Sequence, residues 1–98
     1  PCPTALFAAN DAAAFGALAA VRDAGLTVPG DVSVVGYDGA SLGSLPTLDL
    51  TTVAQPLADL GSLAARRLFG RIERPAGRAQ HLRVDAHLVV RGSSGPPR

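Results

Sequence analysis

The 98-residue chain lacks lysine, methionine and tryptophan, and it has one cysteine. One thiol cannot close an internal disulfide, which excludes a small disulfide-stapled scaffold. Cys2 reads as an inert small hydrophobe at or just before a strand. No run approaches the roughly 20 apolar residues that a membrane helix needs. No signal peptide is visible. Walker and dinucleotide fingerprints are missing. His81 and His87 are six apart with no cysteine beside them, which is not a zinc spacing. No metal and no cofactor is therefore expected. Excess charge is missing as well: the formal net charge is +1, so nothing draws the whole chain toward nucleic acid. All basic residues are arginine, a bias that by itself singles out no partner.

What is present is a folding composition. Apolar residues make up 47% of the chain, and the mean hydropathy is +0.23. That suits one small domain or a piece of one. Its centre is Asp31–Gly39 (DVSVVGYDG), where Val32, Val34 and Val35 favour a packed strand that runs out into Asp38. Before it, Thr4–Asn10 reads as a strand. Asn10 or Asp11 then caps a helix that runs to about Ala24 and stops at Gly25. Ala14, Leu18 and Val21 recur on one face, toward the sheet. Phe15 and Ala19 lie on the next stripe, where Phe15 is either a core margin or a partner surface.

Gly39–Asp49 reads as a loop and Leu50–Gln55 as a third strand. Pro56 opens an amphipathic helix from Leu57 to about Arg71. Glu73–Gln80 is a turn region, and His81–Asp85 and His87–Arg91 read as two short strands. The order β-α-β-loop-β-α-β-β implies an α/β domain with a mainly parallel sheet. Arg66, Arg67, Arg71, Arg74 and Arg78 read as a solvated helix face and loop rather than a nucleic-acid patch.

Asn10, Asp38 and Gln55 end three successive strands. In a parallel sheet they share the carboxyl edge, where such folds bind ligands. A carboxylate with two carboxamides both accepts and donates hydrogen bonds, as a sugar or polyol requires. The plainer alternative is that each one only caps a turn. Gly39-Ala40-Ser41-Leu42-Gly43 also matches the nucleophile-elbow pattern of serine hydrolases. That elbow needs a helix just after the serine, and glycine and Pro46 stand there instead. Hydrolysis through Ser41 is therefore a remote alternative.

Three segments together resemble LacI/GalR-type bacterial transcription regulators: Phe7–Asp38 (with VPGDVSVVGYD), Leu50–Leu68 (with LTTVAQP) and His87–Ser94 (HLVVRGSS). The resemblance is to the C-terminal part of their effector-binding domain. It implies a three-layer, periplasmic-binding-protein-like type I fold, incomplete here, with ligand in a cleft between two subdomains. Residues 1–55 and about 81–92 would belong to the C-terminal subdomain. Residues from about 56 to 80 would carry a crossover helix that packs on the first subdomain, and 93–98 would be a flexible tail. The effector contacts it implies are Asn10, Asp38 and Gln55. A homodimer contact is implied near Phe15, Ala19, Leu42 and Leu45. The function implied is a cytoplasmic, non-enzymatic regulator that senses a small polar effector, most naturally a sugar. Operator DNA would be read by a helix-turn-helix outside these residues. A periplasmic sugar-binding component of a transporter shares the cleft residues and is the alternative. Gly39 departs from the regulators, which often place a second acid there.

Overall fold

The computed structural model describes residues 2–97. Contacts divide the chain into two units: residues 1–55 with 87–98, and residues 56–86.

The first unit is a four-stranded sheet in the order β1-β2-β3-β4. Strand β1 (Ala5–Phe7) pairs parallel with β2 (Ser33–Asp38), and β2 pairs parallel with β3 (Thr51–Ala54). Strand β4 (His87–Val89) closes the edge antiparallel to β3. Helix α1 (Asp11–Asp23) makes the crossover from β1 to β2. Its alanine-rich sequence favours helix. The Asn10 side chain caps it by accepting from the Ala13 amide at 2.7 Å. Ala14, Leu18 and Val21 face inward and are buried with Val32, Val34 and Leu50. This is the face that helical spacing selects. The crossover from β2 to β3 has no α-helix. It is the loop after Asp38, with one short 3₁₀ turn over Ser41–Ser44. Leu50, at its end, is fully buried and anchors it to the core.

The second unit carries α2 (Leu57–Glu73), which has no buried residue. Leu57, Leu68, Phe69 and Ile72 are each more than half exposed. The strand expected over His81–Asp85 does not form: residues 81–86 have no regular structure. A strand needs a ladder partner, and all four strands of the sheet come from the first unit. His81 accordingly falls in the second unit and His87 in the first.

The expected free tail is a second correction. Composition alone makes GSSGPPR look loose, but Ser93 is 2% exposed. Its hydroxyl accepts from the Thr51 amide at 2.8 Å and donates to the Val34 carbonyl at 2.5 Å. Its backbone carbonyl accepts from the Val34 amide at 2.8 Å. Leu50 turns away into the core just before β3 begins, and Ser93 fills the ladder position beside β2. Ser94 continues the stitch, with its hydroxyl 2.7 Å from that of Thr51. The Gly95 amide donates to the Ser33 hydroxyl at 3.1 Å.

Candidate functional site

The carboxyl ends of β1, β2 and β3 form one edge of the sheet, and the sequence-selected polar residues follow them. Asp38 is the last residue of β2, and Gln55 comes directly after β3. The two are joined twice. The Gln55 side-chain amide donates to Asp38 Oδ1 at 2.8 Å, and the Gln55 backbone amide donates to the Asp38 carbonyl at 3.1 Å. Among the described residues, the other carboxylate oxygen of Asp38 accepts no hydrogen bond. Asn10 lies after β1 with its Oδ1 engaged as the helix cap. Its NH₂ group makes no hydrogen bond among the described residues and remains a donor. Capping and ligand binding are therefore compatible uses of the same carboxamide.

The backbone at Asp38 is unusual. Its φ is 132°, and Gly39 follows at φ 80°. A non-glycine residue with positive φ is uncommon and costs about 1–3 kcal/mol. Gly39 is required by space as well as by φ. A Cβ there would sit 2.8 Å from both Cα and Cβ of Ala54. This explains the glycine where the resemblance suggests a second acid: the turn presses against β3.

Asp11 holds the edge together from below. It is 1% exposed. Oδ2 accepts from the Ala40 amide at 2.6 Å, and Oδ1 accepts from the Thr52 hydroxyl at 2.6 Å. One carboxylate thus ties the start of α1 to the loop after β2 and to β3. Its charge also lies at a helix N-terminus, where anions are favoured. Gly36 makes room for it, since a Cβ at Gly36 would run into Asp11 Oδ1. In the sequence Asp11 reads only as a possible cap. Its neighbours in space are 29 and 41 positions away, and no local spacing reveals them.

Two further side chains reach this edge unannounced. Phe7 ends β1 and is 69% exposed. His87 opens β4 opposite Ala54. The signal for Phe7 was available: it is a large aromatic at the carboxyl end of a strand. His87 required the antiparallel register.

The residues set apart for a partner surface divide. Phe15 is half-buried and packs against the core. Ala19 is exposed, and Leu42 and Leu45 are about half exposed. Ser41 starts the 3₁₀ turn, which ends by Leu45. The strand–turn–helix of a nucleophile elbow is not formed there. Among the described residues, no group of three or more His, Cys, Asp or Glu side chains could hold a metal ion. Among the described residues, no helix is long and apolar enough to cross a membrane.

A family model described as a periplasmic binding protein-like domain matches residues 2–94. The chain belongs to that family, in its LacI-type branch. The Ribose operon repressor of Escherichia coli strain K12 is 44% identical over 92 residues, covering 94% of this chain and 28% of that protein. A LacI family transcriptional regulator from Enterococcus faecalis V583, solved with bound ribose, superposes with a TM-score of 0.88 at 35% identity. That match covers 96% of this chain and 35% of the other. A dimeric Lac repressor lacking 11 C-terminal residues superposes with a TM-score of 0.86 at 34% identity, over 98% of this chain and 35% of that one. The chain thus spans about a third or less of the length of the proteins it matches.

Proposed function

We propose that this chain supplies one wall of the effector pocket of a transcription regulator, and that the effector is a sugar. The Asp38–Gln55 pair carries the reading. A carboxylate held at a strand end by a carboxamide, with one oxygen free, suits the adjacent hydroxyls of a sugar. Asn10 adds a donor at the same edge, and Phe7 adds an apolar surface. The E. coli relative's name and the ribose in the Enterococcus structure support a sugar and make ribose the first probe. The regulator is a cytoplasmic protein without catalytic chemistry. Effector binding favours one closure state of the pocket and so shifts the affinity for operator DNA elsewhere in the protein.

Isothermal titration of the intact protein with ribose, and then with other pentoses and hexoses, tests this reading. Asp38→Ala is expected to weaken binding of the sugar by about 1–3 kcal/mol, the scale of a lost charged hydrogen bond. Unchanged affinity in that variant would remove Asp38 from the site.

We also infer a homodimer contact through the loop after β2 and the adjacent face of α1. Leu42 and Leu45 present exposed apolar surface there, and the superposed Lac repressor is described as dimeric. Leu42→Arg with Leu45→Arg is expected to shift the intact protein toward monomer in sedimentation velocity. A dimer unaffected at micromolar concentration would place the contact elsewhere.

A further inference from the structure

The arginines that sequence patterning assigns to a solvated face form a concavity within the second unit. The C-terminal half of α2 and the turn after it border an open concavity of about 540 Å³, lined by Arg66, Arg67, Arg71, Arg74 and Arg78. No acidic side chain lines it. Five of the chain's nine basic residues therefore face one space. Arg71 donates to the Gly77 carbonyl at 2.5 Å, which draws the turn back against the helix. The other four guanidinium groups make no hydrogen bond or ion pair among the described residues. A side chain at Gly70 would meet nothing within 4 Å, so the floor is open.

Two plainer explanations fall short. Cations near a helix C-terminus answer its dipole, but that end carries only about half an elementary charge. Five guanidinium groups exceed it several-fold. A solvated helix face interleaves charges of both signs, whereas the acids of α2, Asp59 and Glu73, stand outside the concavity. Among the described residues, no acidic side chain pairs with these arginines.

We propose that this concavity binds a small anion carrying two or more phosphate groups. The guanidinium fork accepts phosphate oxygens in pairs, and a multivalent anion relieves the repulsion of several forks at once. The volume lies in the range of small-molecule pockets. A surface for single-stranded nucleic acid is disfavoured because no aromatic side chain lines the concavity to stack a base. The site is built from residues 66–80 alone, none of which belongs to the sugar site.

The test is isothermal titration of the intact protein with a hexose bisphosphate, inorganic pyrophosphate and the unphosphorylated hexose. The bisphosphate is expected to bind, more weakly as salt rises, and the free hexose not to compete with it. Pyrophosphate separates the sources: binding as tight as the bisphosphate means that only the phosphates are read, and weaker binding means that the carbon frame contributes. Arg67→Gln with Arg74→Gln is expected to lower affinity for the bisphosphate at least about tenfold, with an unchanged melting curve. Should that variant melt early, Arg67→Lys with Arg74→Lys keeps the charge and loses the fork, and an intermediate loss is expected. Asp38→Ala is expected to bind the anion normally, so failure of the sugar site does not count for or against this one. The proposal is overturned if neither phosphate compound binds, if the glutamine variant binds as tightly as the parent, or if duplex DNA displaces the bisphosphate from these arginines.

Discussion

Asp11 and Asp38 have the same side chain and opposite circumstances. Asp11 is buried, with both oxygens committed to partners from other segments. Asp38 is half-buried with one oxygen free, on a backbone turn that few residues adopt. The first serves stability, and the second is the one proposed for recognition. Asp11→Ala leaves the Ala40 amide and the Thr52 hydroxyl unpaired in the interior. It is expected to destabilise the intact protein by about 3 kcal/mol in urea denaturation, because charged hydrogen bonds contribute about 1.5–3 kcal/mol each. Gly39→Ala adds a positive-φ penalty to a 2.8 Å approach on Ala54. It is expected to cost about 2 kcal/mol and to weaken sugar binding as well, because the displaced turn carries Asp38. A Gly39→Ala protein that melts and binds like the parent would show that the loop relaxes freely.

At the scale of elements, the chain after β4 acts as a clamp on two strands, β2 and β3. Asp49 accepts from the Gly92 amide at 3.0 Å, and Arg91 donates to the Leu50 carbonyl at 2.9 Å. Ser93 then completes the ladder beside β2 and β3. Ser93→Ala removes both bonds of that hydroxyl and leaves the Thr51 amide and the Val34 carbonyl partnerless at that point. The expected loss is about 2 kcal/mol. Hydrogen exchange is the sharper measurement, since the amide of Thr51 is expected to lose protection while those of α1 keep theirs. The HLVVRGSS segment, met in the sequence as a mark of resemblance, thus has a mechanical meaning: its small hydroxyls replace a missing stretch of strand.

For the molecule as a whole, burial is unevenly shared between the two units. The core lies entirely between α1 and the sheet, with Leu50 closing it. The second unit buries no side chain of α2. Apolar burial is worth roughly 25 cal/mol per Å², so the exposed Leu68, Phe69 and Ile72 favour association. The 98-residue chain by itself is expected to self-associate through this helix. Leu68→Ser with Phe69→Ser is expected to raise its monomer fraction in sedimentation equilibrium. A parent chain that stays monomeric at high concentration would mean that α2 finds cover of its own.

The sequence by itself determined the alternation of strands and helices, the inward face of α1, the cap at Asn10, and the placing of Asp38 and Gln55 at strand ends. Those features rest on periods of two and 3.6 residues and on caps, which are local. It also carried the family, through three motifs in order. Only the tertiary structure decided what depends on distant pairing. The ladder takes its four strands from the first unit and none from residues 81–86. It turned Ser93 from tail into clamp, made Asp11 the tie beneath the site, and brought His87 to the same edge. It also gathered into one concavity five arginines that in sequence read as a solvated face. Asp38 spans both cases: its position was legible from the valine-rich strand before it, but its strained turn and its bond to Gln55 exist only because β2 and β3 lie side by side.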